Sequence, residues 1–86
     1  MSLNAYRDEA GRFLEAIGAT EEPVEKKFSL LQRELDRLKS DANNAEAAGH
    51  QVYDLLFILF EIASQYNVDL DAAWLAGRLR KNSKYL

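Results

Sequence analysis

Apolar residues recur along this chain at intervals of three and four, the spacing of one helical face, and no stretch keeps the alternation of a half-buried strand. Ala5, Tyr6, Ala10, Phe13, Leu14 and Ile17 share one side of a first helix over about residues 3–17, entered at Ser2 or Asn4 and stopped at Gly18. Thr20 is expected to cap a second helix, with Glu21, Glu22 and Pro23 in a first turn whose dipole favours negative charge. Val24, Phe28, Leu31, Leu35 and Leu38 then make a narrow apolar seam that ends near Asp41. Asn43 and Asn44 favour a turn, because their side chains compete for backbone hydrogen bonds, and Ala45 restarts the helical pattern.

The third helix, about residues 45–66, carries Val52, Tyr53, Leu55, Leu56, Phe57, Ile58, Leu59, Phe60, Ile62 and Ala63, which point nearly all round. A helix of that kind must be covered on several sides, and the rest of so short a chain barely suffices. Asn67 suits a left-handed stop and Asp69 a cap. Leu70, Ala73, Trp74, Ala76 and Leu79 give a fourth helix its apolar side, followed by the basic ending Arg78-Leu79-Arg80-Lys81-Asn82-Ser83-Lys84.

With 86 residues the chain is read as one domain, 1–86, with no cysteine to staple it or bind metal as thiolate. A domain this small buries only about 60% of its unfolded surface, so self-association is a natural source of further stability. The uncovered third helix points the same way, to a homodimer or a higher homo-oligomer. A net charge of −3 argues against a general nucleic-acid binder, leaving only the basic tail for such a role. The longest strongly apolar run, Leu55 to Phe60, is far short of the roughly 20 residues a membrane span needs. The start of the chain shows no hydrophobic signal core, and cytoplasm is the expected location.

Two polar stripes carry the candidate chemistry. On the third helix Gln51, Asp54 and Glu61 lie near one face, and on the second Lys27, Glu34, Arg37 and Asp41 do. If these helices pack antiparallel, Glu34 approaches Asp54, and carboxylates on facing helices are a known way to hold a hard divalent cation. His50 can meet Asp54 one turn away, but a lone histidine without a second ligand motif is a poor metal signal. No glycine-rich phosphate loop and no nucleophile arrangement is present.

The segment Leu30-Leu31-Gln32-Arg33-Glu34-Leu35-Asp36-Arg37-Leu38, followed by Gln51-Val52-Tyr53-Asp54-Leu55-Leu56-Phe57, resembles the MazG-like all-α nucleotide pyrophosphohydrolases. Lys81-Asn82-Ser83-Lys84-Tyr85 is similar to the basic C-terminal segment of that family. The resemblance implies a four-helix subunit in a dimeric bundle that cuts nucleoside triphosphates between the α and β phosphates. It implies Mg²⁺ held by an ExxE and an ExxD pair. On this chain Glu34 and Asp54 would be the catalytic, metal-holding acids, and Arg37, Lys81 and Asn82 would contact the nucleotide's phosphates.

Arg37 and Gln51 stand where the family has its other two acids, so half of the metal-binding charge is replaced. Glu61 is a candidate substitute ligand, although it lies about 10 Å along the helix from Asp54 and therefore suits a second ion. Asp41 is another, and binding through Arg37 and the terminal lysines with little metal is a third route. Two functions follow: a pyrophosphohydrolase with reduced turnover, or a catalytically silent dimeric helical module for binding or interaction.

Overall fold

The structure, a computed structural model, describes residues 2–86; Met1, where the expected domain begins, lies outside them. Four helices make up the fold: α1 (Leu3–Ala16), α2 (Val24–Ser40), α3 (Ala45–Gln65) and α4 (Leu70–Tyr85). No strand is present among the described residues, so the chain is all-α. None of these helices is long and apolar enough to cross a membrane.

Most boundaries follow from local backbone chemistry. The Ser2 hydroxyl accepts from the Ala5 N–H at 3.1 Å, and Asn44 Oδ1 accepts from Glu46 and Ala47 at 3.1 and 3.2 Å. Each satisfies N–H groups that a helix start leaves without partners. At the other ends, Gly18 (φ 69°) and Asn67 (φ 54°) turn the chain into the left-handed region. The next residue's N–H then reaches back, Ala19 to Leu14 O at 2.8 Å and Val68 to Ala63 O at 2.9 Å, as in a Schellman stop.

The entry to α2 differs from expectation. Pro23, not Thr20, is the residue before the helix; it makes no side-chain cap, and the acid of the first turn is Glu25. Ala19 to Glu22 instead form a separate turn closed by Glu22 N–H donating to Ala19 O at 3.2 Å. A proline cannot donate to a preceding turn, which separates that turn from the helix it introduces.

The core lies around α3, against which both α1 and α2 pack, while α4 leans on α1. On α1 the buried residues are Ala10 and Leu14, Phe13 meets Phe57 edge-on at 5.3 Å between ring centroids, and Tyr6 lies 5.6 Å from Phe60. Gly11 provides the close approach to α3: a Cβ there would come within 2.5 Å of Ser64 Oγ. The α2 surface facing inward is unexpected. Its buried residues are Lys27 and Glu34, whereas Phe28 and Leu35 of the apolar seam are exposed. The polar stripe therefore faces the rest of the chain, and part of the seam stands uncovered.

The apolar side expected for α4 is also uncovered. No residue of α4 is buried, and Trp74 is 61% exposed. Polar contacts fasten the start of α4. Asn4 Oδ1 accepts from Leu70 N–H at 2.7 Å, Asn4 Nδ2 donates to Asp69 Oδ1 at 2.9 Å, and Leu3 N–H donates to Asp71 Oδ1 at 2.8 Å. Arg7 Nη1 adds a bond to Val68 O at 2.8 Å. Asp69 also accepts from Ala72 N–H at 3.0 Å, closing the start of α4 as its sequence suggests.

Candidate functional site

Two contacts fix the pairing of α2 with α3. Gln65 Nε2 at the end of α3 donates to Glu22 O just before α2 at 2.9 Å, and Lys27 Nζ lies 3.7 Å from Glu61 Oε2. These run the helices antiparallel. Glu34 is seven residues after Lys27 and Asp54 seven before Glu61, two helical turns in each case, so the same register carries Glu34 opposite Asp54.

The four side chains line one cleft of about 620 Å³. Glu9 of α1 adds a further acid to its wall, and Phe13, Ile17, Leu30, Tyr53, Phe57 and Ile58 supply the apolar surface. Acids from three helices, one lysine and three aromatic rings thus share a single hollow. Its charge is net negative, suited to a cation or to an anion brought in with one.

The acids are in different electrostatic situations. Glu61 is 4% exposed, and burial pushes its carboxyl above the ordinary glutamate range, with the Lys27 ammonium acting in the opposite direction and Glu22 adding to the rise. Glu34 is 6% exposed; its Oε1 accepts from Arg37 Nη1 at 3.1 Å, while its Oε2 is buried with no hydrogen-bond partner. An unsatisfied buried carboxylate oxygen is costly and calls for a donor or a cation. Asp54 is half-buried, with His50 Nε2 at 3.9 Å from its Oδ2.

Mg²⁺ commonly takes one or two protein carboxylates and completes its shell with water and substrate phosphate. Glu34 and Asp54 fit that role, because they share the cleft and Glu34 Oε2 is unsatisfied. Glu61 does not fit as a free ligand, since its carboxylate is held by Lys27. Among the described residues no group of three or more His, Cys, Asp and Glu side chains is gathered to hold an ion.

Other sequence candidates lie elsewhere. Arg37 makes the i,i+3 pair with Glu34 that the sequence allows, and its own side chain is largely exposed. Gln51 lines a neighbouring hollow with Asn44, Glu46, Ala47 and His50, and its Oε1 is buried without a partner. Lys81 and Asn82 line a third hollow on α4 with Trp74, Gly77, Arg78 and Arg80, separate from the acid cleft. Two charged residues of the cleft, Lys27 and Glu9, are not among the site candidates that the sequence offers. Lys27 shares Glu34's stripe on α2, which was the available signal; Glu9 stands one turn before Phe13 on α1.

Comparison with protein-family models, with curated proteins and with solved structures finds no match to this chain.

Proposed function

We propose that the chain is a MazG-like helical subunit that takes a nucleoside triphosphate with one Mg²⁺ in the acid cleft and hydrolyses it to the monophosphate and pyrophosphate, with low turnover. The observation that carries this reading is the placing of Glu34 and Asp54, from two antiparallel helices, on one cleft. When bound, the ion supplies charge stabilisation of the phosphate oxygens and lowers the pKa of a coordinated water. Glu34 and Asp54 orient it through their carboxylates. Phe13, Tyr53 and Phe57 offer ring faces along the hollow on which a base can stack. Low turnover follows from the reduced acid set: Arg37 and Gln51 add no carboxylate, and Glu61 is occupied by Lys27.

The assembly in this reading is a homodimer or a higher homo-oligomer. Its support is the exposed apolar surface of Phe28 and Leu35 on α2, Val52, Leu56 and Leu59 on α3, and Trp74 and Leu79 on α4. Large apolar side chains left exposed on three helices offer surface for such an interface. Lys81 and Asn82 join the cleft in this scheme only if a second subunit brings its α4 over it.

A second reading, a catalytically silent dimeric module, is favoured by one observation: Lys27 and Arg37 already compensate two of the cleft's acids. Purified protein incubated with a panel of nucleoside triphosphates and Mg²⁺ or Mn²⁺, assayed for pyrophosphate, separates the two. Release that is lost in Glu34→Gln and in Asp54→Asn supports the hydrolase. No release leaves the silent module, and release that both variants retain contradicts the placing of the site at Glu34 and Asp54.

A further inference from the structure

The cleft has two ends about 10 Å apart, two helical turns along each wall. At one end stand Glu34 and Asp54, with Glu34 Oε2 unsatisfied; at the other stand Glu61 and Lys27. The second end already contains a positive charge, and it is not a surface lysine folded over an acid. Lys27, in the first turn of α2, is 6% exposed, and Glu61, near the end of α3, is 4% exposed. A lysine on a helix would ordinarily extend its ammonium into water.

From this geometry we infer that the Lys27 ammonium is the resident cation of the cleft: it occupies the Glu61 end and excludes a divalent ion there, leaving room for one ion, at Glu34 and Asp54. This rests on the metal-binding part of the functional reading above, but concerns a different end of the cleft. The physical reasons are simple. A buried carboxylate such as Glu61 needs a counter-charge, and Lys27 provides it without any ligand. A divalent ion placed beside that ammonium meets its charge in a partly desolvated site and also loses Glu61 as a free ligand. An uncharged residue at position 27 removes both obstacles at once. Methionine is the suitable replacement, being of similar length, flexible and without charge.

The test is Mn²⁺ binding by the full chain without nucleotide, with free Mn²⁺ counted by electron paramagnetic resonance and heats measured by calorimetry. The proteins compared are the wild type, Lys27→Met, Lys27→Met with Glu61→Gln, and Asp54→Asn. Lys27→Met is expected to bind one more Mn²⁺ than the wild type, or to bind it at least about tenfold more tightly, and the added Glu61→Gln should abolish that gain. A folded Lys27→Met protein that binds Mn²⁺ no better than the wild type overturns the inference, as does a gain that survives Glu61→Gln. If Lys27→Met is unfolded alone, helicity is followed during Mn²⁺ addition, because an ion bound to the native state promotes folding. Refolding that requires Glu61 supports the role of Lys27, and failure to refold contradicts it.

Failure of the two readings can be told apart. A wild type that binds no Mn²⁺, with a Lys27→Met protein that binds it through Glu61, keeps the resident cation and removes the Glu34–Asp54 ion. A wild type whose Mn²⁺ is lost in Asp54→Asn, with no gain in Lys27→Met, does the reverse.

Discussion

Lys27 of α2 and Glu61 of α3 meet at 3.7 Å with only 8% and 6% of their side chains exposed, an ion pair inside the chain where the apolar seam of α2 was expected to lie. It joins the two helices that carry the acid cleft, so it bears on both stability and ligand binding. Removing one member of such a pair leaves a charge buried without compensation, whereas removing both is often neutral. Lys27→Met and Glu61→Gln are each expected to destabilise the fold by about 3 kcal/mol, and the double variant by much less than the sum. Urea denaturation in a double-mutant cycle measures this.

The same pair sets a pH dependence. Burial places the Glu61 pKa above its unfolded value, so the native state holds this proton more tightly than the unfolded chain does. The stability linked to that proton is fully present below the unfolded pKa of about 4.3 and is lost as pH rises through the raised native value. In the Lys27→Met, Glu61→Gln variant that decline is expected to vanish, leaving a flatter profile above about pH 4.3. Equilibrium unfolding at a series of pH values reads the difference.

Asp69 acts with the opposite sign. The Asn4 amide, and then the Ala72 N–H, hold its carboxyl below the ordinary aspartate range. Its contribution is therefore present above the unfolded pKa of about 3.9 and lost as pH falls through the lower native value. Because this carboxylate joins α4 to α1, the protection of α4 amides relative to their intrinsic exchange is expected to fall in acid before that of α3 amides does. Asn4→Ala, which removes the bonds to Leu70 and Asp69, should cost about 1–2 kcal/mol and speed α4 exchange even at neutral pH.

Gly11 lies where α1 approaches the Ser64 side chain of α3. Gly11→Ala puts a methyl within 2.5 Å of Ser64 Oγ and is expected to destabilise by about 1–3 kcal/mol, despite alanine's better helix propensity. Adding Ser64→Ala removes the clashing oxygen and should recover most of the loss, because Ser64 Cβ would lie at an ordinary 3.5 Å. Thermal unfolding of the single and double variants checks this.

Self-association is tested by sedimentation equilibrium. The wild type is expected to sediment as a dimer or larger. Leu56→Glu and Trp74→Glu, which place a charge on exposed apolar surface of α3 and α4, should shift it towards monomer without loss of helicity. A wild type that remains monomeric at high concentration contradicts the assembly proposed here.

Element boundaries were legible where single side chains control the backbone. Asn44 and Asp69 accept N–H groups at the starts of α3 and α4, and Gly18 and Asn67 provide left-handed stops. The pairing of Glu34 with Asp54 on one cleft was also readable, because helical spacing and a short α2–α3 connection leave few alternatives. Thr20 was misplaced because Pro23 breaks the chain between a turn and the helix, and both accept similar residues. The inward face of α2 was not legible. Hydrophobic spacing identifies Phe28 and Leu35 as a face to be covered but does not say by what, and the structure turns Lys27 and Glu34 towards α3 instead. The resemblance gives Lys81 and Asn82 a role at the phosphates, yet no local rule fixes where α4 swings, and within one chain they line a separate hollow.

The shared role of Glu34 and Asp54 is tested by calorimetric binding of a non-hydrolysable nucleoside triphosphate with Mg²⁺ to the wild type, Glu34→Gln and Asp54→Asn. Saturable, Mg²⁺-dependent binding is expected in the wild type, falling at least about tenfold in each variant while both keep their helicity, since each removes a charged oxygen ligand. A wild type that does not bind the complex, or variants that bind it as well as the wild type, would contradict the shared role of Glu34 and Asp54.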